Sequence, residues 1–384
     1  MQILFALGSN GSGQLGIGHK EDVSVPKQVL LPSDLPDSTT ITKVVAGGNH
    51  TILLTSDHTL LWSGDASTGA CGNSIPAPQD PSSQLPPQFL PVHGLPEGFQ
   101  VGLAAATWEA TVITQLDPST NTNTAVYTFG AGLKGELGQG SFIFRTPTPS
   151  RIPDFPPEGT HIVHLAASMN HVVAVLSNGE AWGWGNGRKG QLGPQGTEAG
   201  VVYSPQKIQG IDFSVAGAVC GREFTCLFSK PESGKFVVLG SEKSEAVSKA
   251  PALDSDTFRN WRQVGAGWRS VFVLGDDGTV FPWGRDDHGQ ISQTEHLKGD
   301  GKLKQIAVGS EHVLALSEKG DVVAWGWGEH GNCGPIDQEA EKQKKGQKNI
   351  VASSKFIPPG AKITLIGAGC ATSWIGIDMP TAAE

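Results

Sequence analysis

The chain has 384 residues, of which 38% are hydrophobic and 17% charged, with 51 glycines, 25 prolines and a formal net charge of −9. That apolar content is enough for a core and excludes a disordered low-complexity chain, and the absence of a three-residue glycine period excludes collagen. A net negative chain without an arginine-rich stripe lacks the electrostatic footprint that grips a phosphate backbone, so no direct nucleic-acid partner is expected.

In chain order, the sequence opens on "MQILFALGSNGSGQLG", a five-residue apolar run with no basic flank that leads to Gly8 and a glycine-rich turn. This is too short for a signal peptide or a membrane span, and a soluble intracellular protein without membrane contact is expected. From Val44, "VVAGGNHTILLTSDHTLLWSG" gives a small-residue step, an alternating apolar run, a polar turn, a second apolar run, and an aromatic residue before glycine. A proline-rich insert, Asn73 to Gly98, reads as a rim loop. A weaker copy begins near Gly102 and carries "QLDPSTNTNT" (Gln115 to Thr124), read as another rim loop. "HLAASMNHVVAVLSNGEAWGWG" from His164 is a full copy, and the segment from Ser214 to "FVVLGSEKSE" a poor one. "QVGAGWRSVFVLGDDGTVFPWG" from Gln263 and "QIAVGSEHVLALSEKGDVVAWGWG" from Gln305 follow, then a lysine-bearing segment, Ile336 to Gly360, read as a loop. The half copy "LIGAGCATSWIGI" comes last.

Each full copy holds two short β-branched runs around a tight turn, at Asn178-Gly179, Asp277-Gly278 and Lys319-Gly320, and so reads as an antiparallel hairpin. The copies end on glycines: Gly8, Gly64, Gly130, Gly185, Gly240, Gly284 and Gly328. The first copy has an ending without a front half, and the last has a front half without an ending. Joined, they complete one unit. The expected fold is all-β: a seven-bladed β-propeller, one domain over residues 1–384, with N- and C-terminal segments sharing the closing blade.

The pattern G-x-G-x-x-G recurs in four copies, at Gly11, Gly13 and Gly16, at Gly130, Gly132 and Gly135, at Gly185, Gly187 and Gly190 and at Gly326, Gly328 and Gly331, with no helical pattern after it. A dinucleotide cradle appears once, between a strand and a helix, so these glycines are turn formers. His50, His171 and His312 stand before the first apolar strand of their copies, where others carry Glu109, Phe224, Ser270 and Thr372. Repetition assigns them a structural hydrogen bond within their own blade. Glu329, His330 and Cys333 depart from the other copies, in a segment read as two residues shorter than "NGRKGQLG" between its glycines. The five cysteines, Cys71, Cys220, Cys226, Cys333 and Cys370, form no C-x-x-C pair, and no nucleophile–base constellation rises above the repeat. Catalytic residues, metal ligands and cofactors are therefore not expected. Trp62, Trp182, Trp184, Trp283 and Trp325 precede the closing glycines and read as core, whereas Trp108, Trp268, Trp327 and Trp374 lie at loop–strand junctions.

The units "G-x-x-H-T-x-x-L" and "W-G-x-N-x-x-G-Q-L-G" resemble the regulator-of-chromosome-condensation repeat over nearly the whole chain, with "NGRKGQLG" and "SNGSGQLGIG" as strong matches. Within that superfamily, "GSNGSGQLGIGHKED", "WGWGEHGNCGP" and "GCATSWIGI" look like the fungal alpha-tubulin suppressor, or killer-toxin-insensitivity, family. The resemblance implies a non-enzymatic adaptor, monomeric on its own, in cytoplasm and nucleus. Its implied partner is a small zinc-ribbon (CSL-type) diphthamide-biosynthesis protein. Through that partner it would support diphthamide synthesis on elongation factor 2 and, indirectly, Elongator-dependent wobble-uridine modification of transfer RNA. The wider superfamily also implies the alternative of a guanine-nucleotide exchange factor. Tryptophan is favoured at binding hot spots because it buries a large area and keeps one donor. The expected partner-binding residues are Glu311, Trp327, Glu329, His330, Asn332 and Trp374, with Trp108 and Trp268 outside them.

Overall fold

The computed structural model describes residues 1–72, 86–252, 258–299, 301–335 and 347–380. Much of the proline-rich insert and the first part of the lysine-bearing segment lie outside the described residues. The chain begins with β1 (Gln2–Gly8) and β2 (Val23–Gln28), then β3 (Ile41–Ala46), β4 (His50–Thr55), β5 (Leu60–Gly64) and β6 (Leu90–Pro91). Next come β7 (Gln100–Ala106), β8 (Ala110–Asp117), β9 (Thr122–Ala131) and β10 (Arg145–Arg151). β11 (Ile162–Ser168), β12 (His171–Leu176), β13 (Ala181–Asn186), the helix α1 (Gly193–Ala199) and β14 (Val201–Lys207) follow. β15 (Gly217–Cys220), β16 (Phe224–Phe228) and β17 (Phe236–Gly240) precede the short α2 (Glu245–Ser248), and β18 (Trp261–Ala266), β19 (Ser270–Gly275) and β20 (Val280–Gly284) succeed it. The last strands are β21 (Leu303–Val308), β22 (His312–Ser317), β23 (Asp321–Gly326), β24 (Gln347–Ser353), β25 (Lys362–Ala368) and β26 (Thr372–Asp378).

The chain divides into two compact units, one of residues 1–67, 73–93 and 286–384, the other of 68–72 and 94–285. The first unit holds three four-stranded antiparallel sheets, ordered β2-β1-β26-β25, β3-β4-β5-β6 and β21-β22-β23-β24. In the first of these, β1 lies along β26 in continuous register from Gln2↔Asp378 to Gly8↔Thr372, so the two terminal segments share one sheet. Leu4, Ala6, Phe89, Leu365 and Trp374 pack in one core cluster of this unit, and Leu7, Leu314, Ala324, Cys333 and Ile375 in another.

The second unit holds the three-stranded sheets β15-β16-β17 and β18-β19-β20 and an eight-stranded sheet, in which β14-β13-β12-β11 continues through β9 to β8 and β7, with β10 beside β9. This corrects the expectation of seven separate blades. The described strands form five blade-sized sheets and one of double width. The reason lies in the segment expected to be a rim loop at Gln115 to Thr124. Its residues extend the β8–β9 hairpin, Asn123 pairs with Ile162 of β11, and the Asn123 amide donates to the Ile162 carbonyl at 3.1 Å. The poor copy near Gly240 has α2 after its third strand, and β24 occupies part of the segment expected to be a lysine-bearing loop.

The hairpin turns hold where expected: Gly179, Gly278 and Gly320 have φ of +81°, +81° and +82°. At the strand ends, Gly185 pairs with His171 and Gly326 with His312. Both have φ above +100°, and a Cβ would meet the Asn170 carbonyl oxygen at 2.4 Å or that of Glu311 at 2.6 Å. The repeat therefore closes on Gly326, not Gly328. The same register places Ala110, not Glu109, opposite Gly130.

Candidate partner-binding site

Correcting the closing glycine realigns the divergent segment. Asn186 and Trp327 each donate a backbone N–H to the carbonyl two strands back, Asn170 at 2.7 Å and Glu311 at 2.9 Å. After them the two turns run residue for residue: Gly190 donates to Gly187 and Gly193 to Gly190, as Gly331 does to Gly328 and Gly334 to Gly331. The "GEHGNCG" turn is thus of ordinary length. It differs in side chains only. Trp327 replaces Asn186, and Asn332 replaces Gln191. The longer Gln191 side chain accepts the Lys189 N–H at 2.9 Å, as Gln290 accepts that of His288. The shorter Asn332 donates instead to the Trp327 carbonyl at 2.8 Å. Buried Asn332 and Cys333 therefore hold up the turn from beneath.

On top of that turn sits a half-buried Trp327. Its ring lies 5.6 Å from the His330 ring, edge-on, and 5.9 Å from that of His288. His330 Nδ1 is 2.8 Å from Asp22 Oδ2, and Asp22 in turn accepts the Asn10 N–H at 2.7 Å. His288 Nε2 stands 3.7 Å from both Asp287 Oδ2 and Glu311 Oε2. Glu329 projects into solvent. The structure thus places Glu311, Trp327, Glu329 and His330 together, with Asn332 buried beneath them rather than on the surface, and adds Asp22, Asp287 and His288. The signal for His288 was available in "RDDHGQ", which sets it at the turn position that His330 holds in the next copy. Asp22 is 308 residues from His330 and reaches it because β1 and β26 share a sheet.

Trp374 is not on this surface. It is fully buried, edge-on to Phe89 at 6.0 Å, with its indole N–H directed to Thr372 Oγ1 at 3.3 Å. Its position on β26 alternates with residues facing the other way, and the junction reading failed because β26 begins two residues earlier, at Thr372. Trp108 and Trp268 are half-buried in the second unit and pair with each other at 6.1 Å. The core reading of Trp184, Trp283 and Trp325 agrees with their burial. Their indole N–H groups donate to carbonyls of a preceding turn, Glu136 and Gln290, or of α2, Ala246, each at 2.9 Å.

The repeated histidines differ from expectation in their partner. His171 Nε2 is 2.9 Å from Thr225 Oγ1 on β16, and His312 Nε2 is 2.9 Å from Ser373 Oγ on β26. Each bond ties one sheet to the next rather than a blade to itself. Burial holds His50, His171 and His312 down to about 4, so all three are neutral at pH 7.

For covalent chemistry the thiols are poorly placed. Burial pushes Cys333 strongly up and Cys370 to about 11, so neither is a thiolate at neutral pH. Among the described residues, one group has donor spacing that a divalent cation would accept: Asp287, His288 and Glu311, with ligand atoms within 4.8 Å of one another. The same two carboxylates, beside an aromatic face, equally suit a Lys or Arg side chain from a partner.

Residues 3–375 match the model of the RCC1-like domain. The chain belongs to the RCC1-like domain family. An RCC1 repeat-containing protein of Schizosaccharomyces pombe is 32% identical over 301 residues, covering 76% of this chain and 79% of that protein. The secretion-regulating guanine nucleotide exchange factor of Bos taurus is 28% identical over 76% of this chain, which spans 61% of that relative's length. Among solved structures, Prp20p of Saccharomyces cerevisiae superimposes with a TM-score of 0.74 at 20% identity, covering 99% of this chain and 92% of that one. This RCC1-like chain therefore has an all-β propeller fold. No helix among its described residues is long and apolar enough to cross a membrane.

Proposed function

We propose that this RCC1-like protein is a non-enzymatic adaptor whose Trp327 turn binds a small zinc-ribbon diphthamide-biosynthesis protein. The observation that carries the reading is an indole anchor, Trp327, standing between two imidazoles and beside the carboxylates of Glu311 and Asp287. An aromatic anchor bordered by acids fits a partner that offers a basic side chain next to an apolar one. The identity of the partner rests on the alpha-tubulin-suppressor-like blocks, "WGWGEHGNCGP" among them, which contain this turn. In this reading the protein is monomeric on its own, works in cytoplasm and nucleus, and supports diphthamide synthesis and, through its partner, Elongator-dependent transfer RNA modification.

Calorimetric titration with the zinc-ribbon protein tests it. Trp327→Ala is expected to weaken binding by about tenfold or more, the loss typical of an anchor residue. Glu329→Ala, at an exposed rim position, is expected to cost less than about fivefold and to matter less as salt rises. Unchanged affinity in both variants would remove this face from the reading. A second reading, exchange of guanine nucleotide on a small GTPase, is favoured by the likeness to the bovine exchange factor. Accelerated nucleotide release from a small GTPase, lost in a surface variant that leaves zinc-ribbon binding intact, would support it instead.

A further inference from the structure

In the second unit, four turns converge on a concave surface. Lys189 comes from the turn after β13, Arg222 from between β15 and β16, Lys243 from between β17 and α2, and Arg269 from between β18 and β19. Four cations in one concavity stand out on a chain of net charge −9. The floor is aromatic. Arg222 Cζ lies 5.9 Å from the centroid of the Trp268 ring, and the Arg222 N–H donates to the Trp268 carbonyl at 2.9 Å, which fixes the β15–β16 turn over the indole. Trp108 flanks that indole at 6.1 Å. Among the described residues none of the four cations is held in an ion pair, and Lys189, Arg222 and Lys243 are exposed.

We infer that this pocket binds an acidic peptide segment of a protein partner, with Trp268 as its apolar platform and Arg222, Lys189, Lys243 and Arg269 as carboxylate donors. Charge complementarity selects the occupant. Glu223 and Glu245 also line the pocket. They oppose a polyphosphate strand, whose charge is uniform along its length, but tolerate a peptide that alternates carboxylates with backbone N–H donors. An indole under a guanidinium favours a chain that brings side-chain surface as well as charge. The inference does not rest on the zinc-ribbon reading, because its cations lie outside the Trp327 turn and its occupant carries the opposite charge.

The probe is a fluorescein-labelled hexaglutamate peptide, followed by anisotropy, with hexaglutamine and a labelled oligothymidine as comparisons. The wild-type protein is expected to bind hexaglutamate measurably at low salt and hexaglutamine at least tenfold more weakly. Arg222→Glu combined with Lys243→Glu, both at exposed side chains, is expected to weaken hexaglutamate binding at least tenfold while the urea midpoint stays put. Trp268→Ala is expected to reduce affinity without changing its salt dependence. The inference is overturned if hexaglutamate fails to bind, if the charge-reversed variant binds it equally well, or if oligothymidine binds more tightly than hexaglutamate.

Discussion

Lowering the pH from 7 to 5 is expected to remove roughly 5 kcal/mol of folding stability through His50, His171 and His312 together. Each imidazole has a folded pKa of about 4 against an ordinary value of 6.5. Burial is the main cause in all three. Between these values the unfolded chain takes up protons that the folded chain refuses, so stability falls as pH falls. The loss starts near pH 6.5 and levels off below about pH 4. Glu136 works in the opposite sense, since burial raises its pKa and favours the folded state at low pH. Urea denaturation at a series of pH values measures the slope. His171→Gln, which keeps a polar group near Thr225 without the titration, is expected to flatten that slope by about a third. An unchanged slope would mean that His171 is protonated in the folded protein.

Gly185→Ala is expected to destabilise the protein by about 4 kcal/mol, the sum of a disfavoured backbone conformation and an overpacked contact. The new methyl would stand 2.4 Å from the Asn170 carbonyl oxygen, which itself accepts the Asn186 N–H and has no room to retreat. Two other glycines separate the contributions. Gly159, with φ +78° and open space around it, is expected to lose about 1 kcal/mol on change to alanine. Gly11, with neither constraint, is expected to stay within about 0.5 kcal/mol of wild type. Midpoints and slopes of urea unfolding for the three variants give the ranking, and a Gly185→Ala protein as stable as Gly11→Ala would refute the steric account.

Much of the fold was legible because its cues are local. The Asn178-Gly179, Asp277-Gly278 and Lys319-Gly320 turns fix hairpins without help from distant residues. The shared terminal sheet was legible because the first copy lacks what the last copy has. Elsewhere the cues misled. Two tryptophan–glycine pairs in a row, Trp325-Gly326 and Trp327-Gly328, hid which glycine ends the strand, and only the pairing with His312 decides it. Strand alternation that turns Trp374 inward depends on where β26 starts, which its sequence does not mark. The double-width sheet depends on one contact, Asn123 with Ile162, across 39 residues. The candidate site was half legible. Its turn residues diverge visibly from the repeat, whereas Asp22, Asp287 and His288 join them by tertiary placement.

The pairing of β1 with β26 bears on how the protein is made. A ribosome that adds roughly 5 to 20 residues per second needs about 20 to 75 seconds to travel from Gly8 to Thr372. For most of that interval the apolar segment Ile3 to Leu7 can pair with β2 along one edge, while the strand that covers its other edge, β26, does not yet exist. A nascent chain with such an exposed strand is a client for a holding chaperone, and a stop codon upstream of Thr372 would strand it permanently with that edge bare.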